Sequence, residues 1–211
     1  MRKIVLLILA AFALMPTAVS AQTITGDIGV STQYVDRDLF VLTDVPVVQA
    51  SLNVKVTDNC QLEAWGTHAF SKEMGGELDL GGSCSFNLGS VKATVSAKQY
   101  LLHDYGDITA LAVTLTKGPV DLTVGRYIWE NQDATRIELG YTIEPAKKVA
   151  LRPALVYETG FDAPDILVGA LDLTYAVNDK LSLTASVLTP LHKGASDDRK
   201  TQFSISITKS F

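Results

Sequence analysis

The alternation of apolar and polar residues with a period of two constrains the fold of this chain more than any other feature. It is clearest in residues 201–211, TQFSISITKSF, where Phe203, Ile205, Ile207 and Phe211 fall on one side and mostly small polar residues on the other. Successive side chains of a β-strand point to opposite faces, so this segment predicts a strand with one apolar face. A transmembrane barrel and a half-buried soluble sheet both produce the pattern.

The first 21 residues have the features of a secretory signal peptide. Arg2 and Lys3 precede an apolar run at residues 4–14, which is too short to anchor stably in a bilayer, and small residues up to Ala21 suit cleavage. We therefore expect residues 22–211 to form one exported domain. No later run approaches the ~20 apolar residues of a membrane helix, so any passage through a membrane must use strands.

The charge balance argues against a nucleic-acid partner. The formal net charge is −5, and removal of the two basic residues of the signal peptide makes the exported chain more acidic. Binding to phosphates requires a basic surface. The sequence also contains no motif that indicates a cofactor.

Residues 22–211 show turn signals between two-faced segments and no helical periodicity. The predicted strands are 23–34, 46–57, 60–70, 77–86, 91–101, 108–116, 120–129, 136–143, 149–158, 166–177, 181–189 and 201–211. With about 9–11 residues per membrane strand, these twelve leave about six residues per connection, whereas sixteen would leave about two. In strand 120–129 the phase turns Arg126 outward, so we expect a bulge near Gly125 that re-aims it.

The predicted connections fall into two alternating classes. Every second one is short, namely 58–59, 87–90, 117–119, 144–148 and 178–179, while the others include the longer 36–45, 159–165 and 191–200. Short turns at one end, longer loops at the other, an even number of strands and both termini at the short-turn end are typical of outer-membrane barrels. The sequence therefore predicts an all-β, antiparallel up-and-down transmembrane barrel of about 12 strands, with periplasmic termini.

The two cysteines are expected to form a disulfide. Cys60 opens one predicted strand and Cys84 lies late in the next, so a hairpin between them brings the two side by side. Cysteines of exported proteins are usually paired. A redox or metal site would need further ligands, and none stands near them in the sequence.

Several short motifs resemble a known family. PVVQ at 46–49, AWGT at 64–67, ELDL at 77–80 and the ending at 204–211 are similar to the TorF family of outer-membrane porins. The resemblance covers most of the exported chain. It implies an outer-membrane barrel of a Gram-negative bacterium and brings no catalytic residues.

With the apolar face turned to lipid, charged side chains of both signs face the interior. The expected lumen-lining residues are Asp27, Lys55, Glu63, Glu77, Asp79, Lys92, Lys98, Asp121, Arg136, Glu138, Arg152, Glu158 and Asp172. Such a mixture either lines a hydrated pore, where it sets ion preference, or pairs across the lumen and plugs it. The residues expected in the interfacial belts are Tyr34, Tyr141, Tyr157, Tyr175 and Phe211.

The favoured function is passive diffusion of small hydrophilic solutes or ions through the outer membrane. Two alternatives stay open. One is a closed-lumen structural or adhesive barrel, and the other is a soluble periplasmic ligand-binding barrel, in which the apolar side chains would face inward and the polar ones outward. Catalysis is not expected, because no predicted base is oriented against a nucleophile. The histidines and acids considered for it are His68, His103, Asp104, His192, Asp197 and Asp198. No metal is expected either, because the acidic residues lack the spacing of a calcium loop.

Overall fold

The computed structural model describes residues 23–37, 41–71, 76–102, 106–130, 132–160, 163–193 and 199–211. These ranges contain fifteen strands. The strands are β1 (Ile24–Ser31), β2 (Tyr34–Val35), β3 (Val41–Thr43), β4 (Val47–Lys55), β5 (Cys60–Ala69), β6 (Gly76–Leu88), β7 (Val91–Leu102), β8 (Gly106–Lys117), β9 (Val120–Trp129), β10 (Gln132–Tyr141), β11 (Ile143–Ala146), β12 (Val149–Gly160), β13 (Ala163–Asn178), β14 (Leu181–His192) and β15 (Gln202–Ser210). Within the same ranges, no helix is long and apolar enough to cross a membrane.

Twelve of these strands close into one antiparallel barrel. Each pairs with its neighbour along the chain, β10 pairs with β12, and β1 closes the ring by pairing with β15. The short β11 continues the line of β10 beyond Thr142 and pairs with β12, while β2 and β3 form a separate hairpin. The predicted twelve-stranded antiparallel barrel is confirmed. Both described ends of the chain lie at the end of the barrel that has the short turns, because Phe211 pairs with Gly26.

The outer surface of the barrel is apolar. Leu52, Leu80, Val113, Leu139 and Leu173 lie on five different strands, and each is between 43% and 47% exposed. Their neighbours along the strands point inward and are mostly polar or small, as the alternation requires. The predicted outward apolar face is therefore correct, and the inverted arrangement of a soluble barrel with a dry apolar centre is wrong.

Two predicted connections are shorter than the sequence indicated. The expected loop 159–165 shrinks because β12 runs to Gly160 and β13 begins at Ala163. Likewise β10 begins at Gln132, four residues before the predicted start. In both places polar residues were taken for turns, although they continue a strand whose inner face accepts polar side chains. Long connections remain between β1 and β4 and between β14 and β15.

The bulge expected near Gly125 is absent. The register of β9 runs unbroken against β8 and β10, so Arg126 lies on the outer face opposite Leu111. Its guanidinium donates to Thr135 Oγ1 at 2.8 Å and pairs with Asp133. Both partners lie on the same outer face, near the start of β10. Local partners near the rim satisfy the outward arginine, so the strand does not need to re-aim it.

Candidate pore and the segment inside it

The predicted lumen residues all occupy inward positions of their strands. Cα register aligns Trp65 with Asp79 and Asp79 with Tyr100, and this row defines the inner wall on β5, β6 and β7. The alternate residues on the same strands, among them Leu78 and Leu80, are exposed on the outer surface. Lys55 and Lys92 keep the inward phase but stand at the short-turn rim, where both are exposed. Lys55 Nζ lies 2.9 Å from the Asp58 carboxylate.

Three clusters on the inner wall each place one cation between two carboxylates. In the first, Lys98 Nζ lies 2.9 Å from Glu63 Oε1 and 3.6 Å from Asp79 Oδ2. The ammonium also lies 5.7 Å from the centre of the Tyr100 ring. Because Glu63, Asp79 and Lys98 are on three neighbouring strands, the cluster ties β5 to β7 across β6.

The second cluster lies on β9, β10 and β12. Arg152 Nη2 donates to Asp121 Oδ2 at 2.7 Å and to Glu138 Oε1 at 2.8 Å. The three side chains are between 17% and 25% exposed. Water therefore reaches this part of the interior.

The third cluster includes a residue from outside the barrel wall. Arg136 Nε donates to Glu158 Oε2 at 2.7 Å, and Arg136 Nη2 donates to Asp36 Oδ2 at 3.1 Å. The guanidinium lies 4.7 Å from the centre of the Tyr127 ring. Asp36 belongs to the connection between β1 and β4, so this connection reaches the inner wall.

We call the described parts of that connection, residues 32–37 and 41–46, the lumen segment. Val35 packs on inward apolar residues of β12, β13 and β14, while the Tyr34 ring lies 5.3 Å from the Trp65 ring on β5. Arg37 Nη2 donates to Asp172 Oδ2 on β13 at 2.6 Å. Since β5 and β12 are opposite each other in a ring of twelve strands, the lumen segment crosses the interior from wall to wall.

Polar contacts fix the first part of the lumen segment, residues 32–37. Gln33 Nε2 donates to the Phe203 carbonyl at 2.8 Å, and the Thr32 amide donates to the Ile205 carbonyl at 2.9 Å. Burial alone would raise the pKa of the Asp36 carboxyl, but the charge and hydrogen bond of Arg136, with a smaller contribution from Arg37, hold that pKa below its ordinary value. Asp36 is therefore ionised at neutral pH and keeps its attraction to Arg136.

The short-turn end of the interior has a polar surface. A polar recess of about 210 Å³ lies at the short-turn end, next to the turn between β4 and β5. Inward side chains of Thr25, Asn53 and Gln61 line it, together with rim residues. Hydrophilic groups therefore continue to the mouth at this end.

The predicted aromatic residues divide into two groups. Tyr141, Tyr175 and Phe211 are exposed on the outer surface towards the short-turn end, and Tyr157 is exposed towards the other end, where its hydroxyl donates to Asp165 at 2.8 Å. Tyr34 differs from the prediction, because β1 ends at Ser31 and the chain then turns into the lumen. Tyr34 is thus a lumen residue and not a surface one.

The disulfide between Cys60 and Cys84 is present, as predicted. The two residues are direct cross-strand partners at the short-turn end of β5 and β6. Their strand phase is that of Leu62 and Phe86, so the bridge lies on the outer side of the barrel and leaves the lumen charges unaffected.

Sequence reasoning missed the residues of the lumen segment and their aromatic partners on the wall. The signal available in the sequence is the charged run Asp36-Arg37-Asp38, which lies in the connection predicted at 36–45. Of the residues considered for catalysis, His68 is exposed on the outer face. His192, the last residue of β14, is also exposed. His103, Asp104, Asp197, Asp198 and the predicted signal peptide lie outside the described residues. Among the described side chains, no group of three or more histidines, cysteines or acids is arranged to hold a metal ion.

Comparison with solved structures identifies the fold. A structure of the KdgM porin aligns with a TM-score of 0.63 and 11% identity over 89% of this chain and 99% of that one. The NanC porin aligns with a TM-score of 0.60 and 9% identity, over 88% of this chain and 98% of that one. The COG4313 outer-membrane channel from Pseudomonas putida F1 aligns with a TM-score of 0.56 and 12% identity, over 92% of this chain and 97% of that one. Neither a protein-family model nor a curated protein sequence matches the chain. At these identities the likeness concerns the fold, and the chain has the barrel fold of outer-membrane porins.

Proposed function

We propose that this protein is an outer-membrane porin through which small hydrophilic solutes and ions diffuse passively. The observation that carries the proposal is the closed barrel whose outer face is apolar and whose inner face carries the charged residues. An apolar exterior of this kind is stable in lipid, where every backbone group must be paired within the protein. The porin fold shared with KdgM, NanC and the COG4313 channel supports a channel in preference to an enzyme.

The outer surface fits a bilayer in a second respect. Tyr141, Tyr175 and Phe211 lie near one end of the apolar surface and Tyr157 lies near the other, with exposed leucine and valine between them. Such rings favour the interface between headgroups and hydrocarbon. Because barrels of this kind usually have their short turns on the periplasmic side, we place the short-turn end there, with outer-membrane lipid as the partner of the apolar surface.

The lumen segment sets the expected size of the solute. It crosses the interior next to Trp65 on one wall and Asp172 on the other, so it narrows the passage without filling the hydrated region around Arg152. A twelve-stranded barrel is intermediate between barrels filled by side chains and those with wide channels. We therefore favour a narrow pore, and the closed-lumen structural or adhesive barrel is the second candidate, because the same segment could block passage.

We infer the solute class from the charges in the lumen of this chain, and not from the ligands of structurally similar porins. One KdgM structure contains oligogalacturonate, which is a polyanion. In this chain Lys98, Arg136 and Arg152 are each bound between two carboxylates, which leaves them poorly suited to guide polyanions. Membership of the TorF family remains a prediction from the short motifs.

Planar-bilayer recording tests the proposal. Purified protein that is folded, as judged by heat-modifiable migration on gels, should give discrete conductance steps. The folded form should also be found in the outer-membrane fraction of the cells. Folded protein that never conducts would favour the closed barrel. Recovery of the folded protein in the soluble periplasmic fraction would contradict the membrane location itself.

A further inference from the structure

We infer that the proton joining Glu77 to Asp79 holds the lumen segment against the inner wall, and that loss of this proton in alkaline solution releases the segment and widens the pore. The inference rests on the proposed function, because it names a regulation of the same pore. It follows from the hydrogen bonds of the two carboxyls, from their burial next to the segment, and from the charges that face them.

The two carboxyls are joined by a hydrogen bond that requires a proton. Glu77 and Asp79 are two apart on β6, so their side chains share the inner face, and they are only 7% and 3% exposed. The Glu77 carboxyl donates to the Asp79 carboxylate. Lys98 Nζ lies 3.6 Å from Asp79 Oδ2, and its attraction for that carboxylate leaves the proton on Glu77. Ionised carboxylates are acceptors only, so this bond exists only while the proton is present.

The lumen segment lies directly against this pair. The Tyr34 ring is 5.3 Å from the ring of Trp65, which is the cross-strand partner of Asp79. The Tyr34 hydroxyl donates to the Glu77 carboxyl, and the Asp36 carboxylate, two residues further along the segment, acts electrostatically on both members of the pair. The proton of the pair and the position of the segment are therefore coupled.

Ionisation of both carboxyls opposes docking for two reasons. A second negative charge costs more free energy in a buried site than in water, so the doubly ionised pair is stabilised when the segment leaves and water enters to take the proton. The new charge on Glu77 also repels the Asp36 carboxylate of the docked segment. One contact acts the other way, since Tyr34 donates a stronger hydrogen bond to an ionised Glu77, but this effect is smaller than the repulsion from Asp36. The docked segment thus favours the protonated pair, and by linkage the deprotonated pair favours release.

The other charged and titratable groups that face the pair belong to the neighbouring wall strands. Within the described residues, Lys98 and Tyr100 face it from β7, and Glu63 on β5 shares the Lys98 ammonium with Asp79. On the segment, Arg136 holds the pKa of the Asp36 carboxyl below its ordinary value against the effect of burial, so Asp36 stays ionised through the neutral and alkaline range. The charge that changes in this range is therefore that of the pair.

Single-channel recording of the full-length, detergent-purified protein in planar bilayers tests the inference. Between about pH 7 and about pH 9.5, the wild-type channel should switch more often to a larger conductance, by up to about tenfold per pH unit, the limit for release of one proton. Glu77→Gln should keep the low frequency throughout, because its amide donates to Asp79 and accepts from Tyr34 as protonated Glu77 does, but does not titrate. Glu144→Gln is the matched control and should behave as the wild type, because Glu144 is exposed on β11.

Tyr34→Phe provides a second variant for the same recording. It keeps the ring beside Trp65 but removes the hydroxyl, so the one contact that favours an ionised Glu77 in the docked state is lost. The increase in frequency should therefore begin at lower pH than in the wild type. A wild-type frequency that does not change with pH, an increase that persists in E77Q, or an increase that begins at higher pH in Y34F overturns the inference while the porin proposal stands.

Tryptophan quenching follows the lumen segment without requiring conductance. The chain has two tryptophans, Trp65 and Trp129, so the fluorescence of Trp129→Phe reports on Trp65, which contacts the Tyr34 ring. Quenching by acrylamide, a neutral probe, should increase over the same pH range in W129F and stay constant when E77Q is added. Folded protein that shows this pattern but never conducts retains the switch and rejects the porin. Quenching that is independent of pH in W129F rejects the switch.

Discussion

Removal of the Arg37 guanidinium should loosen the lumen segment and make wider openings of the pore more frequent. Arg37→Met keeps much of the aliphatic stem but loses the 2.6 Å contact with Asp172. A hydrogen bond to a charged group contributes about 1.5–3 kcal/mol. Because these side chains are 30% and 15% exposed, water screens the pair, and we expect about 1–2 kcal/mol.

That loss corresponds to a shift of about 5- to 30-fold in the ratio of undocked to docked segment. The segment should remain mostly docked, because Val35 keeps its apolar contacts and Asp36 keeps Arg136. The wild-type channel should therefore show a small main conductance, and R37M should add brief transitions to a larger one. Single-channel recording at fixed voltage measures the frequency of these transitions.

A double-mutant cycle separates the ion pair from other effects. Asp172→Asn should produce the same transitions as R37M, and the double variant should differ little from either single one, because both remove one interaction. Lys92→Met is the control, since it removes a cation at the short-turn rim, away from the segment. If R37M and D172N act additively, or if neither changes the frequency of the larger conductance, the docking argument is incorrect.

Three further predictions concern the barrel itself. Replacing Cys60 and Cys84 by serine removes a bridge that closes a span of 24 residues. The free energy of unfolding, measured with a chemical denaturant, should fall by about 3 kcal/mol, while the conductance stays the same. Gly26→Val should abolish the heat-resistant folded form on gels, because a Cβ there would lie 2.5 Å from the Ser51 carbonyl and 2.7 Å from the Phe211 ring; normal folding would contradict the close approach. Leu173→Arg should destabilise the bilayer-inserted protein by roughly 2–4 kcal/mol if it lies near the midplane, whereas a variant as stable as wild type in lipid would indicate that this face does not contact hydrocarbon.

The strand framework could be predicted because it depends on a local rule. Period-two alternation assigns each side chain to a face without knowledge of its partners, and the predicted β9, residues 120–129, coincides with the observed strand. The same rule placed Glu63, Lys98 and Arg152 on one face before their contacts were known. The disulfide followed from hairpin pairing, which joins residues close in sequence.

The errors occurred where distant contacts decide the structure. Nothing local to Tyr34 shows that the chain leaves the wall after Ser31, because that path depends on Trp65 and on Asp172, more than a hundred residues further along. Arg126 was expected to need a bulge, but Asp133 on the next strand satisfies it. The pairing of one cation with two carboxylates also needs coordinates, since alternation gives the face of a residue and not its neighbours.

The seam between β1 and β15 has a consequence for how the molecule is made. Its ladder runs from Asp27 opposite Ser210 to Ser31 opposite Ser206. Beyond it, Gly26 and Phe211 exchange backbone hydrogen bonds at one end, and Thr32 donates to Ile205 at the other. β1 thus has to wait for β15, so the cylinder stays open until all twelve wall strands have been synthesised. Until then two unpaired edges are vulnerable to aggregation, and a holding factor or a catalyst of insertion would have to protect them.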